Sequence, residues 1–153
     1  MGTRSIVTFI EKFDKTEIPL VSVYQQYDGY LSGVGRELCD FLSKKKIING
    51  IGFDQHTPEY ANGCGCLAAQ FIHDFKTEVG GLYIYPYWSQ AERKEAFIDY
   101  YYDVIVTDAY LGSPEEKNKT ITIRVSSFGG EPFFEGTIKE LLDYIKRSEN
   151  DDE

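Results

Sequence analysis

Residues Asn62 to Phe75 read NGCGCLAAQFIHDF, and the rest of the chain arranges itself around them. Small or apolar residues fill Cys64, Cys66, Leu67, Ala68, Ala69, Phe71, Ile72 and Phe75, leaving only Gln70, His73 and Asp74 plainly polar. That pattern predicts a helix buried on most of its circumference, the central helix of the domain. Ala68 and Ala69 leave room for a neighbouring backbone, and Gly63 and Gly65 let the chain enter the helix through dihedrals that other residues resist.

Upstream, Thr3 to Phe13 reads as a strand whose β-branched and aromatic residues alternate imperfectly with polar ones. A polar turn, Asp14 to Glu17, leads to a second strand from Leu20 to Gln26, and the two should form a hairpin. Tyr27-Asp28-Gly29-Tyr30 is a turn signal. Val34, Leu38, Phe41, Leu42 and the stem of Lys45 then share one helical face, which predicts a helix over 33–45. Ile51 to Ala61 reads as a loop.

Downstream, Gly80-Gly81 opens a strand over Leu82–Tyr87, with Leu82 and Ile84 on one face and Tyr83, Tyr85 and Tyr87 on the other. A charged piece, Ser89 to Glu95, precedes a strand over Phe97–Thr107, in which Tyr100, Tyr102, Val104 and Val106 oppose Tyr101, Asp103 and Ile105. Asp108 to Lys119 reads as a polar surface loop. Thr120–Ser126 is a strand with Ile121, Ile123 and Val125 facing in, and Gly129-Gly130 turns into a short strand at Phe133–Glu135. Thr137 and Glu140 form a capping box for a last helix with an apolar stripe of Ile138, Leu141, Leu142 and Ile145. Residues 1–147 make one globular domain, and 148–153 read as a disordered acidic tail. The order of elements lacks the strict strand–helix alternation of a parallel fold. The expected class is α+β: a largely antiparallel sheet of about six strands with three helices mainly on one face.

Composition narrows the function. Twenty-five acidic against 16 basic residues give a net charge of -9, which argues against nucleic acid as a partner. The one basic run, Lys44-Lys45-Lys46, suits the C-terminal end of a helix. No run approaches the roughly 20 apolar residues of a membrane span, and no secretory signal is recognisable, so a soluble intracellular protein is expected. Three cysteines do not form a disulfide framework and suit a reducing compartment.

Among chemistry-bearing residues, Cys64 or Cys66 at a helix N-terminus is a candidate nucleophile, with His56 or His73 as base. His73 lies two turns beyond Cys66, roughly 10 Å along the axis, too far to pair with it directly. The alternative is that both thiols are small buried packing groups. His56, Cys64, Cys66 and Asp54 match no common zinc spacing, so no metal and no cofactor is expected. Two glycine-containing turns, one carrying Tyr27, Asp28, Tyr30, Gly33 and Gly35 and the other Asn62, Gly63 and Gly65, lead into helices. Together they suggest a cleft presenting amides to a small anion or nucleotide. Fifteen per cent of the chain is aromatic. Tyr83, Tyr85, Tyr87 and Tyr101 are the candidate interface residues, because tyrosine with few cations suits a protein partner.

The segments Gly2-Thr3-Arg4-Ser5, Tyr24-Gln25-Gln26-Tyr27-Asp28-Gly29-Tyr30, Gly33-Val34-Gly35, Asn62-Gly63, Gly65-Cys66-Leu67-Ala68-Ala69-Gln70 and Gly80-Gly81-Leu82-Tyr83 together resemble a family of small uncharacterised proteins of large DNA viruses and phages. The resemblance covers the first half of the chain and fades after Tyr87. It implies a viral origin, in host cytoplasm, nucleus or virion, without an assigned activity. That family carries a residue other than cysteine where Cys64 stands, which favours Cys66 if a thiol acts. The reading these features favour is a non-enzymatic viral accessory or virion-associated protein that contacts itself, as a homodimer, or a host or viral protein. The alternatives are a Cys66-dependent enzyme and a binder of a small anionic ligand.

Overall fold

The computed structural model describes residues 2–107, 121–128 and 131–151, at Asp151 the backbone only. The loop expected over 108–119 and the Gly129-Gly130 turn lie outside these residues. The described residues form an α+β fold with a mixed sheet of six strands, a separate two-stranded sheet and three helices.

Strands β1 (Ser5–Phe13) and β2 (Thr16–Gln25) make the expected hairpin. Its turn is tighter than the sequence suggests, because Thr16 and Glu17 already pair with Phe13 and Lys12. Asp14 takes the positive φ of 56° that so short a connection needs. Residues Leu31–Gly35 wind as a π-type turn straight into α1 (Arg36–Ser43). Strands β3 (Lys46–Ile48) and β4 (Tyr60–Asn62) pair in parallel across the Ile51–Ala61 segment read as loop, whose last two residues belong to β4, and α2 (Gly63–Phe75) follows. Then come β5 (Leu82–Tyr85), β6 (Tyr100–Thr107), β7 (Ile121–Ser127), β8 (Pro132–Gly136) and α3 (Ile138–Asp151). The sheet order is β5-β2-β1-β6-β7-β8, antiparallel everywhere except between β1 and β6.

The capping box forms as read: the Glu140 amide donates to Thr137 Oγ1 at 3.2 Å and the Thr137 amide to Glu140 Oε1 at 3.1 Å. Beyond it, α3 continues through residues 148–151, which the sequence placed in a disordered tail. Arg36 ties that last stretch to α1 through a 2.7 Å ion pair with Glu149.

All three helices lie on one sheet face. Val7, Phe9, Val23, Leu82, Tyr102, Val104, Ile123 and Val125 point at them. The middle helix is α1, not α2. Its Phe41 ring meets Phe71 and Phe75 of α2 at 5.5 and 5.8 Å, while Gly35 at its start lies beside Ile145 of α3. Accordingly α2 buries one stripe, Cys64, Leu67, Ala68 and Phe71, and leaves Gly65, Ala69, His73 and Asp74 exposed. The expectation of a helix buried nearly all round failed because Gly, Ala and Cys are apolar without requiring burial; their side chains gain little from leaving water.

The opposite face is not bare. Segment 86–98 folds back over it, packing Trp88, Ala96 and Ile98 against Ile6, Tyr24 and Tyr101. With both faces covered, β1 buries six consecutive residues, Ser5 to Ile10, which explains its imperfect alternation.

Candidate functional site

The first glycine turn is built by close approach, and its amides are already used. Asp28 sits at a φ of 58°, and its carbonyl accepts the Val34 amide at 2.8 Å. The Gly29 amide donates to Thr3, and the Gly33 and Gly35 amides to Tyr30. Tyr102, fully buried, donates its hydroxyl to the Gly29 carbonyl at 2.7 Å. A Cβ on Gly33 would lie 2.2 Å from the Asp28 oxygen, and one on Gly29 would lie 2.8 Å from Ser5 Cβ. Gly33 and Gly35 therefore serve chain crossing, and their own amides are engaged rather than presented to an anion. Tyr27 and Tyr30 stand exposed, Tyr30 bonded to Asp28 Oδ1 at 3.2 Å.

The second turn lies at the other end of the sheet. Gly65 sits beside Leu20, whose neighbours Pro19 and Val21 pair with Ile10 and Phe9, whereas Gly29 bonds next to the start of β1. About six strand residues separate them, roughly 20 Å at about 3.3 Å each. The expected cleft between the turns is not formed. Gly63 supplies the positive φ, 82°, of the entry into α2, and Asn62 Oδ1 accepts the Gly50 amide at 2.8 Å.

The thiols divide. Cys39 and Cys64 are buried, and burial pushes each up to about 12. For Cys64 this corrects the helix-dipole reading: desolvation of a thiolate in an apolar wall outweighs the partial charge of a helix end, and Glu11 adds to the rise. Cys66 is partly exposed and lines a cavity of about 530 Å³ between α2 and the 48–60 segment, with His56, Asn62 and His73 around the same space. The structure thus gathers the candidate nucleophile and both candidate bases. His73 Nδ1, however, is engaged with Asp74 Oδ1 at 3.1 Å on the surface. Among the described residues no His, Cys, Asp and Glu trio is placed to hold a metal ion.

The candidate interface residues separate as well. Tyr83, Tyr85 and Tyr87 are 45%, 37% and 42% exposed. Their surface also includes Tyr24 and Trp88, which the sequence did not single out: Tyr24 lies 6.0 Å from Tyr83 and 5.3 Å from Tyr85, and Tyr85 lies 6.4 Å from Trp88. Tyr101, by contrast, is 1% exposed, under the guanidinium of Arg93 at 4.3 Å, and is no interface residue. The error follows from reading 89–95 only as a charged piece leading into the strand, with no packing role for Arg93. Arg93 is buried, donates to both Asp103 oxygens at 3.0 and 3.4 Å and to the Trp88 carbonyl at 3.0 Å, and so clamps the segment onto the sheet. Arg124 completes the network by bridging Asp103 and Glu17. No local pattern marks a pairing of residues ten apart.

The chain matches no protein-family model, no curated protein and no solved structure.

The main chain of β5 is the sheet edge beneath those tyrosines, and it is largely closed. The Leu82 amide turns back to Gly80 at 2.8 Å, and Lys76 Nζ donates to the Gly80 and Leu82 carbonyls, both at 2.9 Å. Pro86 has no amide to offer. What remains open is the main chain at Ile84 and side chains on both faces, the three tyrosines on one and Ile84, 64% exposed, on the other. Such an edge resists strand addition and offers an aromatic surface instead. Among the described residues no helix is long and apolar enough to cross a membrane.

Proposed function

We propose that this chain is a non-enzymatic protein acting through protein–protein contact, with a second copy of itself as its first partner. The exposed Tyr83, Tyr85 and Tyr87 carry the reading, because contiguous aromatic exposure beside a capped strand edge is the composition of interface centres. A two-fold pair of such surfaces buries the same aromatics from both sides. The viral accessory or virion role, and with it a host or viral partner, rests on the resemblance of the YQQYDGY and GCLAAQ segments. Light scattering after gel filtration at tens of micromolar tests the contact. The expected result is a dimer for the natural chain and a monomer with unchanged circular dichroism for Tyr83→Arg combined with Tyr85→Ser. A monomeric natural chain sinks the reading.

A thiol-dependent enzyme is the second reading, favoured by one observation: Cys66 shares a cavity with His56 and His73. It requires Cys66 to react with iodoacetamide in the native protein faster than a free thiol does. A rate at or below that of free cysteine removes it.

A further inference from the structure

A cavity of about 670 Å³ opens between the end of α1, the β3–β4 pair, the start of β7 and the start of α3. It is within the range of small-molecule sites, roughly 300–1,000 Å³. Leu42, Ile47, Ile121 and Ile138 give it apolar walls, and Lys46, Lys139 and Gln55 supply polar groups. Among the described residues that line it there is no carboxylate, in a chain whose acidic side chains outnumber its basic ones 25 to 16.

The charges are not equally committed. Lys45 also lines the cavity, but its ammonium is turned to the Pro58 carbonyl at 2.6 Å and to the Phe41 ring at 4.9 Å. Lys46 meets Glu59 at 3.8 Å, with both side chains more than half exposed, and the Tyr60 ring at 5.6 Å, farther than Lys45 stands from Phe41. An exposed pair at that separation holds weakly and yields to a better-placed anion. Glu140, the carboxylate next to the α3 start, is occupied by the Thr137 capping box. Two lysines from separate elements therefore flank an apolar hollow that none of the described acidic residues lines. Charge complementarity names the head group and the isoleucine walls name the body.

We propose that this cavity binds a single-chain amphiphile with a carboxylate head, its alkyl chain against Ile47, Ile121 and Ile138 and its carboxylate between Lys46 and Lys139. The site includes neither the tyrosine surface nor Cys66, and it adjoins the Cys66 cavity through Lys45, Ile48, Gln55 and Tyr60. Isothermal titration with octanoate, decanoate and decanol, below their aggregation limits, tests it. Saturable binding of one decanoate per chain is expected, tightening about fourfold for each added methylene, which is the burial of one CH₂ expressed as affinity. Lys46→Gln with Lys139→Gln should weaken decanoate about tenfold, the loss of charge-assisted contacts. Lys94→Gln with Lys146→Gln makes the same change in net charge away from the cavity and should leave binding unchanged. Absence of saturable binding, equal affinity for decanol, or equal weakening by the two lysine pairs overturns the proposal.

Discussion

Replacing Arg93 with Met should unfasten segment 86–98 from the sheet. Arg93 and Asp103 are each almost wholly buried, joined by two hydrogen bonds, and the arginine also holds the Trp88 carbonyl and stacks on Tyr101. Removing one partner of a buried ion pair costs about 3–5 kcal/mol, because the other charge is left unsolvated. Here Arg124 still reaches Asp103 at 3.3 Å, which places the loss near the lower end, about 3 kcal/mol. For a chain of this length that is a fall in melting temperature of roughly 6–12 °C. The chain has a single tryptophan, Trp88, and it lies in the clamped segment, so its emission reports the segment directly while circular dichroism follows the whole fold. The variant should show red-shifted native emission and a lower urea midpoint. Adding Asp103→Leu should recover part of the stability by removing the stranded charge. A midpoint within about 0.5 kcal/mol of the natural chain, the size of an ordinary surface substitution, together with unchanged emission, refutes the clamp.

Three further outcomes are expected. Gly33→Ala should cost about 2–3 kcal/mol, since its Cβ would meet the Asp28 carbonyl at 2.2 Å and displace the acceptor of the Val34 amide; an unchanged urea midpoint refutes the chain-crossing role. Arg124 holds the Glu17 carboxyl, and Thr137 the Glu140 carboxyl, below the ordinary 4.5, so their stabilising effect is complete above that pH and is lost as pH falls through the depressed values. The urea midpoint should therefore be lower at pH 3 than at about pH 6, and Arg124→Gln should remove the Glu17 part of the difference. A thiol reagent should label Cys66 alone in the native protein and all three cysteines after denaturation; native labelling of Cys39 or Cys64 contradicts the sealed helix face.

Much of the fold was legible because its signals are local. The capping box at Thr137 and Glu140, the one-face spacing of Val34, Leu38, Phe41 and Leu42, and the alternation of Tyr100 to Val106 each fix an element from its own residues. The functional surfaces were less legible. Tyr83, Tyr85 and Tyr87 were found through strand alternation, but Tyr24 and Trp88 join them only through pairing and chain return. The paired strands β3 and β4 escaped notice because three-residue strands carry too few residues for a period to appear.

By itself, the sequence determined the α+β class, the main strands and helices and the face each strand residue takes, since these follow from a period of two or 3.6 set by backbone geometry. Tertiary structure alone decided that α1 rather than α2 is the middle helix, that the two glycine turns lie at opposite ends of the sheet, and that Arg93 is buried on Tyr101. Those outcomes depend on which surfaces meet. Burial is a property of the neighbour as much as of the residue, and a charge enters the interior only where a distant partner such as Asp103 awaits it.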